Sequence, residues 1–221
     1  MGATQVIERD QAVRVPGGDR AAVPFPPPAV AGLAGLFRRP ASRWARVALV
    51  AVNLAAVAAY MLSYSRHGLG FGPFRIDLAA YRAGGQTWLR GGNLYGQVPV
   101  IQGMQLPFTY PPFAAVVLAP LALLPMAVAG TLLTVASIAL LVVVLRVFLH
   151  RLAGPAAGSL WAVGWMLPAA LLLEPVRSTL AYGQINIVLM ALVALDCLVV
   201  APRWPRGAMV GLAASVMLTP S

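Results

Sequence analysis

Past its first 36 residues, the chain keeps only three acidic side chains, Asp77, Glu174 and Asp196. A carboxylate beside long apolar segments is costly to place in or near a bilayer, so each one is a candidate functional residue. Asp77 begins a segment whose apolar residues have roughly helical spacing. It can act as a general base toward a hydroxyl group, or it can cap the N-terminus of that helix.

A second polar segment, residues 174–186, lies between two apolar runs and holds more polar side chains than a connecting loop needs. Arg177 can contact a phosphate, or it can form an ion pair with Glu174 three residues earlier. Gln184 and Asn186 can hydrogen-bond a sugar, or they can cap the next helix.

Arginines flank the first carboxylate, and isolated polar residues stand elsewhere. Arg75 and Arg82 can bind an anionic head group or anchor their helix to lipid phosphate. Asp196 lies within an apolar run, where such a residue usually pairs with a neighbouring helix or faces a cavity; we assign it no catalytic role. The single cysteine and the two histidines lack metal-ligand spacing, so we predict neither a metal site nor a cofactor.

The elements that must position these residues belong in a membrane. Apolar residues make up 60% of the chain and charged residues 10%, against about 25% charged residues in a soluble domain. The apolar residues fall in runs long enough to cross a bilayer. All 16 basic residues are arginines, and they stand at the edges of these runs, which is typical of membrane topology rather than nucleic-acid binding. The absence of lysine excludes a phosphate-binding loop ending in Gly-Lys and any Schiff-base mechanism. We predict an all-α, polytopic membrane helical bundle.

The first 124 residues of the chain predict a tail, one span and two interfacial helices. Residues 1–36 read as a disordered cytoplasmic tail. Arginines before the span at 44–64 predict that the N-terminus is cytoplasmic, so residues 65–110 face outward. Within that outer stretch, 77–89 predicts an amphipathic helix at the membrane surface. Residues 113–124 are too few to span and predict an interfacial or re-entrant helix.

The remaining runs predict further spans, with the segment at 174–186 as a short outer loop. They are residues 126–149, 156–173 and 187–201, and the beginning of another at 207–221. The last run is shorter than the roughly 20 residues that a span needs. We therefore expect residues 37–221 to be the front part of a longer membrane region.

Four stretches also stand in a characteristic order: Asp77-Leu-Ala-Ala-Tyr-Arg-Ala-Gly-Gly85; Phe108-Thr-Tyr-Pro-Pro-Phe113 with Ala119-Pro-Leu-Ala-Leu-Leu-Pro125; Val176-Arg-Ser-Thr-Leu180 with Gly183-Gln-Ile-Asn186; and Gly211-Leu-Ala-Ala214 with Leu218-Thr-Pro220. Together they resemble glycosyltransferase family 87, the polyprenol-phosphate-mannose-dependent alpha-mannosyltransferases of actinobacteria. The family usually has a lysine just before its Leu-Thr-Pro, where this chain has Met217.

The resemblance implies a GT-C fold in the cell membrane, with the active site on the outer face. It implies a polyprenyl phosphate sugar as donor, most often mannose, which enters from the bilayer, and a glycolipid or lipoglycan of the cell envelope as acceptor. It implies a catalytic aspartate in the first outer loop, which matches Asp77. We predict the other site residues by role: Arg177, Arg82 and Arg75 for the donor phosphate, and Tyr81, Tyr110, Glu174, Gln184 and Asn186 for substrate contact.

Two alternatives remain open at this level. A transporter or flippase would use Asp196 and the outer arginines as a substrate path, although the polar residues concentrate in the outer loops rather than in mid-span. An inactive, truncated copy of the glycosyltransferase is favoured by Met217 and by the short final run.

Overall fold

The structure is a computed structural model that describes residues 42–65, 75–96, 99–101, 103–199 and 202–217. The predicted disordered tail, residues 1–36, lies outside this part. Within it the chain forms eight helices and a small antiparallel hairpin, in which Val100 pairs with Gln105. In chain order they are α1 (Arg43–Ser65), α2 (Ile76–Leu89), β1 (Val100–Ile101), β2 (Met104–Gln105), α3 (Pro112–Ala122), α4 (Met126–Ala153), α5 (Leu160–Leu172), α6 (Glu174–Tyr182), α7 (Asn186–Leu198) and α8 (Ala208–Met217). The predicted all-α fold is confirmed, with the hairpin as a short connection between α2 and α3.

Two helices are long and apolar enough to cross a membrane, α1 over Arg43–Tyr60 and α4 over its whole length. The 28 residues of α4 rise about 42 Å, more than the roughly 30 Å of the hydrocarbon core. The protein buries only 11% of the α1 stretch and 17% of the most apolar stretch of α4. The core helix of a soluble protein is mostly buried, whereas the described part of this chain leaves most of these two apolar surfaces uncovered.

The other apolar helices are shorter than a bilayer. The 11 residues of α3 rise about 16 Å, so this helix cannot cross by itself, in agreement with the predicted interfacial or re-entrant helix. Helices α5 and α7 have 13 residues each and rise about 20 Å. The spans predicted at 156–173 and 187–201 are therefore shorter in the structure.

The predicted span at 156–173 begins late because a turn precedes it. The hydroxyl of Ser159 accepts a hydrogen bond from the Ala162 amide at 3.3 Å and so caps α5. Residues 154–158 cross the end of α4, where a Cβ on Gly158 would lie 2.6 Å from the Cβ of His150. The chain needs this close approach to reverse direction. The four residues before Leu160 form the turn and are not part of α5.

The predicted short loop at 174–186 is wrong, because nine of its residues form the helix α6. Pro175 stands in the first turn of α6, where its missing amide costs nothing, and Gly183 ends it in the left-handed conformation with φ 69°. These two residues were the sequence signal for a helix. The segment's polar composition hid it, because α6 lacks the apolar character of the other helices.

Helix α2 packs closely on α3 through small residues. The ring of Phe108 lies against Gly84, and a Cβ on Gly85 would stand 3.0 Å from the Ala119 Cα. Leu78 and Tyr81 on the same side of α2 are almost fully buried and belong to the largest apolar cluster. The Gly-Gly pair therefore lets two helix backbones approach each other.

A larger side chain at position 85 should push α2 away from α3. The Ala119 Cα is a backbone atom that cannot rotate away, so Gly85→Val should lower the free energy of unfolding by about 1–3 kcal/mol. Gly211→Ala in α8 is the matched control, because nothing lies within 4 Å of its Cβ position. The control should be neutral or stabilise by up to about 1 kcal/mol. Thermal unfolding in detergent measures both, and an equal loss in the two variants would contradict the packing argument.

The buried carboxylate of Asp196 joins α7 to α8. Its Oδ2 accepts a hydrogen bond from the Val210 amide and its Oδ1 accepts one from Trp204 Nε1, both at 3.2 Å. Arg206 donates to the Asp196 carbonyl oxygen at 2.7 Å. Asp196 therefore pairs with the neighbouring helix, as its position predicted. This argues against a transporter in which Asp196 lines the substrate path, since its carboxylate binds the start of α8.

Candidate functional site

Asp77 lies in the first turn of α2 and is not its N-cap. The N-cap is Arg75, which makes no side-chain capping bond. A carboxylate in the first turn is stabilised by the partial positive charge at the helix N-terminus. Asp77 Oδ2 accepts a hydrogen bond from Gln184 Nε2 at 2.7 Å, across 107 residues of sequence. The structure therefore brings together the two polar segments that the sequence singled out.

Hydrogen bonds hold both the side-chain amide and the backbone of Gln184. Its Oε1 accepts a hydrogen bond from Asn186 Nδ2 at 2.8 Å and one from the Thr179 hydroxyl at 3.5 Å. Its backbone amide donates to the Thr179 carbonyl at 2.9 Å. These bonds orient the amide so that its NH₂ group faces Asp77. The capping alternative does not hold, because the N-cap of α7 is Ile185 and no side chain caps that helix.

Gly183 makes this arrangement possible. Its left-handed backbone turns the chain from α6 toward α7, and a Cβ there would lie 2.8 Å from the Cβ of Leu78. Leu78 follows Asp77 directly and is fully buried. The turn at Gly183 therefore sits against the first turn of α2, which places Gln184 beside the carboxylate.

Two tyrosines line the next turn of α2. Tyr81 is buried, and the Tyr110 hydroxyl donates a hydrogen bond to the Tyr81 hydroxyl at 3.3 Å. Their rings meet edge to face with centroids 5.2 Å apart. Burial, with smaller contributions from Tyr110 and from the charge of Asp77, raises the pKa of Tyr81 far above its usual range. Tyr81 is therefore a neutral phenol near Asp77, and Tyr95 supports the pair by donating to the Tyr110 carbonyl at 2.9 Å.

Arg75 joins three helices at the edge of the site. Its backbone is left-handed, with φ 46° and ψ 34°, and its amide donates to the Ala181 carbonyl of α6 at 2.8 Å. Its guanidinium lies over Gly130 near the start of α4, with Nη1 3.5 Å from the Ala127 carbonyl. Within the described part of the chain, its buried Nε has no hydrogen-bond partner. A strained backbone and an unsatisfied buried donor are both typical of functional positions.

Arg82 is used differently from Arg75. Its Nε donates to the Leu121 carbonyl at 3.0 Å, and its Nη2 donates to the Leu124 carbonyl. These are carbonyls at the end of α3 and just beyond it, where backbone acceptors lack helical partners. Of the two roles open at the sequence level, the hydrogen bonds favour anchoring, although the anchor is protein backbone rather than lipid.

Arg177 and Glu174 form the predicted ion pair on α6. Arg177 Nη1 lies 3.8 Å from Glu174 Oε2, and the carboxylate side chain is 77% exposed. An exposed pair at this distance contributes little to stability. The pairing leaves the phosphate role of Arg177 as a proposal.

Sequence reasoning missed three parts of this site. Thr179 orients Gln184, Gly130 leaves the space that the Arg75 guanidinium fills, and Tyr95 holds Tyr110. A glycine inside an apolar helix signals a close approach, so Gly130 had a usable signal. Thr179 and Tyr95 had none, since their roles depend on partners in other elements. Among the described residues no three potential metal ligands cluster.

Comparison with known proteins decides the family. The sequence profile of glycosyltransferase family 87 matches residues 108–221, which is more than half of the chain. The chain belongs to glycosyltransferase family 87. Proteins of this family are membrane-embedded and GT-C-like, which agrees with the helical bundle and its two long, apolar and largely unburied helices. No solved structure matches the chain.

Curated relatives of this family 87 chain come from mycobacteria. It is similar to a polyprenol-phosphate-mannose-dependent alpha-(1-2)-phosphatidylinositol mannoside mannosyltransferase of Mycolicibacterium smegmatis, 41% identical over 69% of this chain and 38% of the relative. The Mycobacterium tuberculosis protein of the same name is 42% identical over 69% of this chain and 39% of the relative. A phosphatidylinositol pentamannoside mannosyltransferase of M. tuberculosis is 37% identical over 82% of this chain and 42% of the relative. The chain thus spans about two fifths of the length of these relatives.

Proposed function

We propose that this chain transfers a mannosyl group from a polyprenyl phosphate donor to a phosphatidylinositol mannoside or related glycolipid. The observation that carries the proposal is the hydrogen bond between Gln184 and Asp77, which assembles a carboxylate and polar side chains in one place. The proposed donor and acceptor are those for which the mycobacterial relatives are named. Both substrates are lipids, which explains why the site belongs at a membrane surface.

Asp77 is the proposed general base. Gln184 occupies Oδ2, and no described residue donates to Oδ1, which is therefore available to an acceptor hydroxyl. Asp77 takes the hydroxyl proton while that oxygen bonds to the anomeric carbon of the sugar. The bond from the anomeric carbon to the phosphate oxygen breaks, and polyprenyl phosphate leaves with the bonding electron pair, with inversion at the carbon. A phosphate leaves without protonation, so one carboxylate suffices.

Arg75 is the proposed contact for the leaving phosphate. It stands two residues before Asp77 and has a buried Nε without a described partner. Negative charge grows on the phosphate as the bond breaks, and a positioned guanidinium stabilises that charge. Arg177 remains a second proposed contact. Tyr81, Tyr110, Glu174 and Asn186 remain proposed substrate contacts, while Arg82 is assigned to anchoring α2.

The proposed topology puts Asp77 on the outer face and the N-terminus in the cytoplasm. Arg75 lies against Gly130 near the start of α4, whereas Arg146, His150 and Arg151 stand near the end of that helix. From residue 130 to residue 146 the helix rises about 24 Å. The basic residues and the site therefore belong to opposite ends of the bundle, which supports this topology under the positive-inside rule.

Sugar transfer tests the function directly. Membranes containing the chain would receive polyprenyl phosphate carrying labelled mannose, together with phosphatidylinositol mannoside acceptors. We expect labelled glycolipid to form from this donor and not from GDP-mannose in membranes that lack polyprenyl phosphate mannose. Transfer from GDP-mannose alone would contradict the proposed donor. Membranes without the chain supply the background, and transfer no greater than that background would contradict the proposed activity.

Removing the amide that holds Asp77 should slow transfer moderately. Gln184→Leu keeps the size of the side chain and loses the 2.7 Å hydrogen bond. We expect kcat to fall about tenfold with little change in KM, because a misplaced base affects the reacting geometry more than binding. Ser178→Ala on α6 is the control, since among the described residues the Ser178 hydroxyl bonds only the Pro175 carbonyl of its own helix. Unchanged kcat in Gln184→Leu would contradict a positioning role.

A further inference from the structure

A groove at the far end of α4 has no role in the proposed transfer. It measures about 490 Å³ and is lined by Arg146, His150 and Arg151 of α4, with apolar walls from Val143, Val147, Leu198 and Val199. Along α4, residues 143, 146 and 150, and likewise residues 143, 147 and 151, stand three or four positions apart, so they form one stripe along the helix. The end of α7 closes the other side. Cationic and apolar side chains thus share one concave surface.

Depth along α4 places this groove at the level of lipid head groups. Arg146 stands about 30 Å from Met126, the first residue of α4, which equals the thickness of the hydrocarbon core. His150 and Arg151 lie further out, in the last turns of the helix. The apolar wall at Val143 is about one turn deeper. This arrangement of the groove suits a phospholipid whose phosphate lies at the membrane surface and whose acyl chains lie deeper in the bilayer.

No described carboxylate neutralises the groove. The acidic residues of the described part are Asp77, which binds Gln184, Glu174, which pairs with Arg177, and Asp196, whose two oxygens accept from Trp204 and Val210. Arg146 and Arg151 form no salt bridge with any residue in that part. Two arginines that lie together beside an apolar surface favour the binding of an anionic ligand. A planar guanidinium can donate two hydrogen bonds to two oxygens of one phosphate.

We propose that this groove binds one anionic glycerophospholipid from the leaflet opposite the active site. Its phosphate lies between Arg146 and Arg151 with His150 beside it, and its acyl chains lie on Val143, Val147 and Leu198. The lipid bridges the ends of α4 and α7, which pack on each other. The site does not depend on the transferred sugar, because it lies at the other end of α4 from Asp77.

Lipid binding to the purified full chain in a neutral detergent tests the site. Native mass spectrometry would follow titration with phosphatidylglycerol, with phosphatidylcholine and with inorganic phosphate. We expect saturable binding of one phosphatidylglycerol, and about 10- to 30-fold weaker binding in Arg146→Gln/Arg151→Gln, from about 1 kcal/mol for each arginine near the head groups. Phosphatidylcholine and inorganic phosphate should bind far more weakly.

The matched control removes the same charge outside the groove. Arg43→Gln/Arg203→Gln loses two exposed arginines of the same proposed membrane side, and neither of them lines the groove. We expect this variant to bind phosphatidylglycerol as the unaltered chain does. Equal weakening in both double variants would show general charge attraction and overturn the site. Binding of inorganic phosphate as tight as that of phosphatidylglycerol would overturn the lipid as ligand, and so would equal affinity for phosphatidylcholine.

Discussion

Asp77→Asn should lower mannosyl transfer by at least about 10³-fold while leaving the protein folded in the membrane. Asparagine has the same shape as aspartate, and its side-chain oxygen can still accept the hydrogen bond from Gln184 Nε2. The variant therefore keeps the local geometry and loses only the basic group. General bases typically contribute 10²- to 10⁴-fold, and a 10³-fold loss corresponds to about 4 kcal/mol of transition-state stabilisation.

Two further measurements separate chemistry from folding in this variant. Asp77→Glu keeps a carboxylate but moves it by one methylene group, so it should retain more activity than Asp77→Asn. The thermal unfolding temperature of Asp77→Asn should stay close to that of the unaltered chain. Transfer at the normal rate by Asp77→Asn would remove Asp77 from the mechanism. Equal inactivity of both variants together with a large drop in unfolding temperature would make the residue structural instead.

Arg75→Gln should lower kcat by about 100-fold, since one positioned donor to developing negative charge is worth roughly 10²- to 10³-fold. The backbone bond from the residue 75 amide to the Ala181 carbonyl does not involve the side chain and should survive. Arg75→Lys keeps the charge but not the planar fork, so it should recover part of the activity. Transfer would be measured over a range of donor concentrations, because a contact made mainly in the transition state lowers kcat rather than raising KM.

Arg82 and a glycine variant supply the controls for Arg75. Arg82→Gln removes an arginine whose partners are backbone carbonyls, so it should reduce stability more than kcat. Arg75→Gly should relieve the left-handed backbone at φ 46° and raise stability by about 1 kcal/mol while still losing the activity. A stable and fully active Arg75→Gly would contradict the phosphate role. If Arg82→Gln lowered kcat more than Arg75→Gln does, Arg82 would be the phosphate contact and Arg75 the anchoring residue.

Local features of the chain could be predicted well from sequence. The boundaries of α1, α2 and α3 follow from apolar runs, glycines and prolines, all of which act within a few residues of where they stand. The end of α2 is an example, since Gly91 takes the positive φ that other residues avoid. The helix α6 was missed because its polar surface resembled a loop, although Pro175 and Gly183 marked both of its ends.

The amino-acid sequence by itself determined that the chain enters a membrane, where helices α1, α2 and α3 begin, and which polar segments are candidates for chemistry. Those properties depend on composition and on neighbours along the chain. Only the tertiary structure decided that Gln184 binds Asp77, that Arg82 is committed to the carbonyls at the end of α3, and that Arg75 reaches Gly130. Each of these contacts joins residues far apart in sequence. These contacts depend on how α2, α3, α4 and α6 pack against each other. Where the chemistry of a side chain allows two roles, its role is decided by the partner that this packing brings within reach.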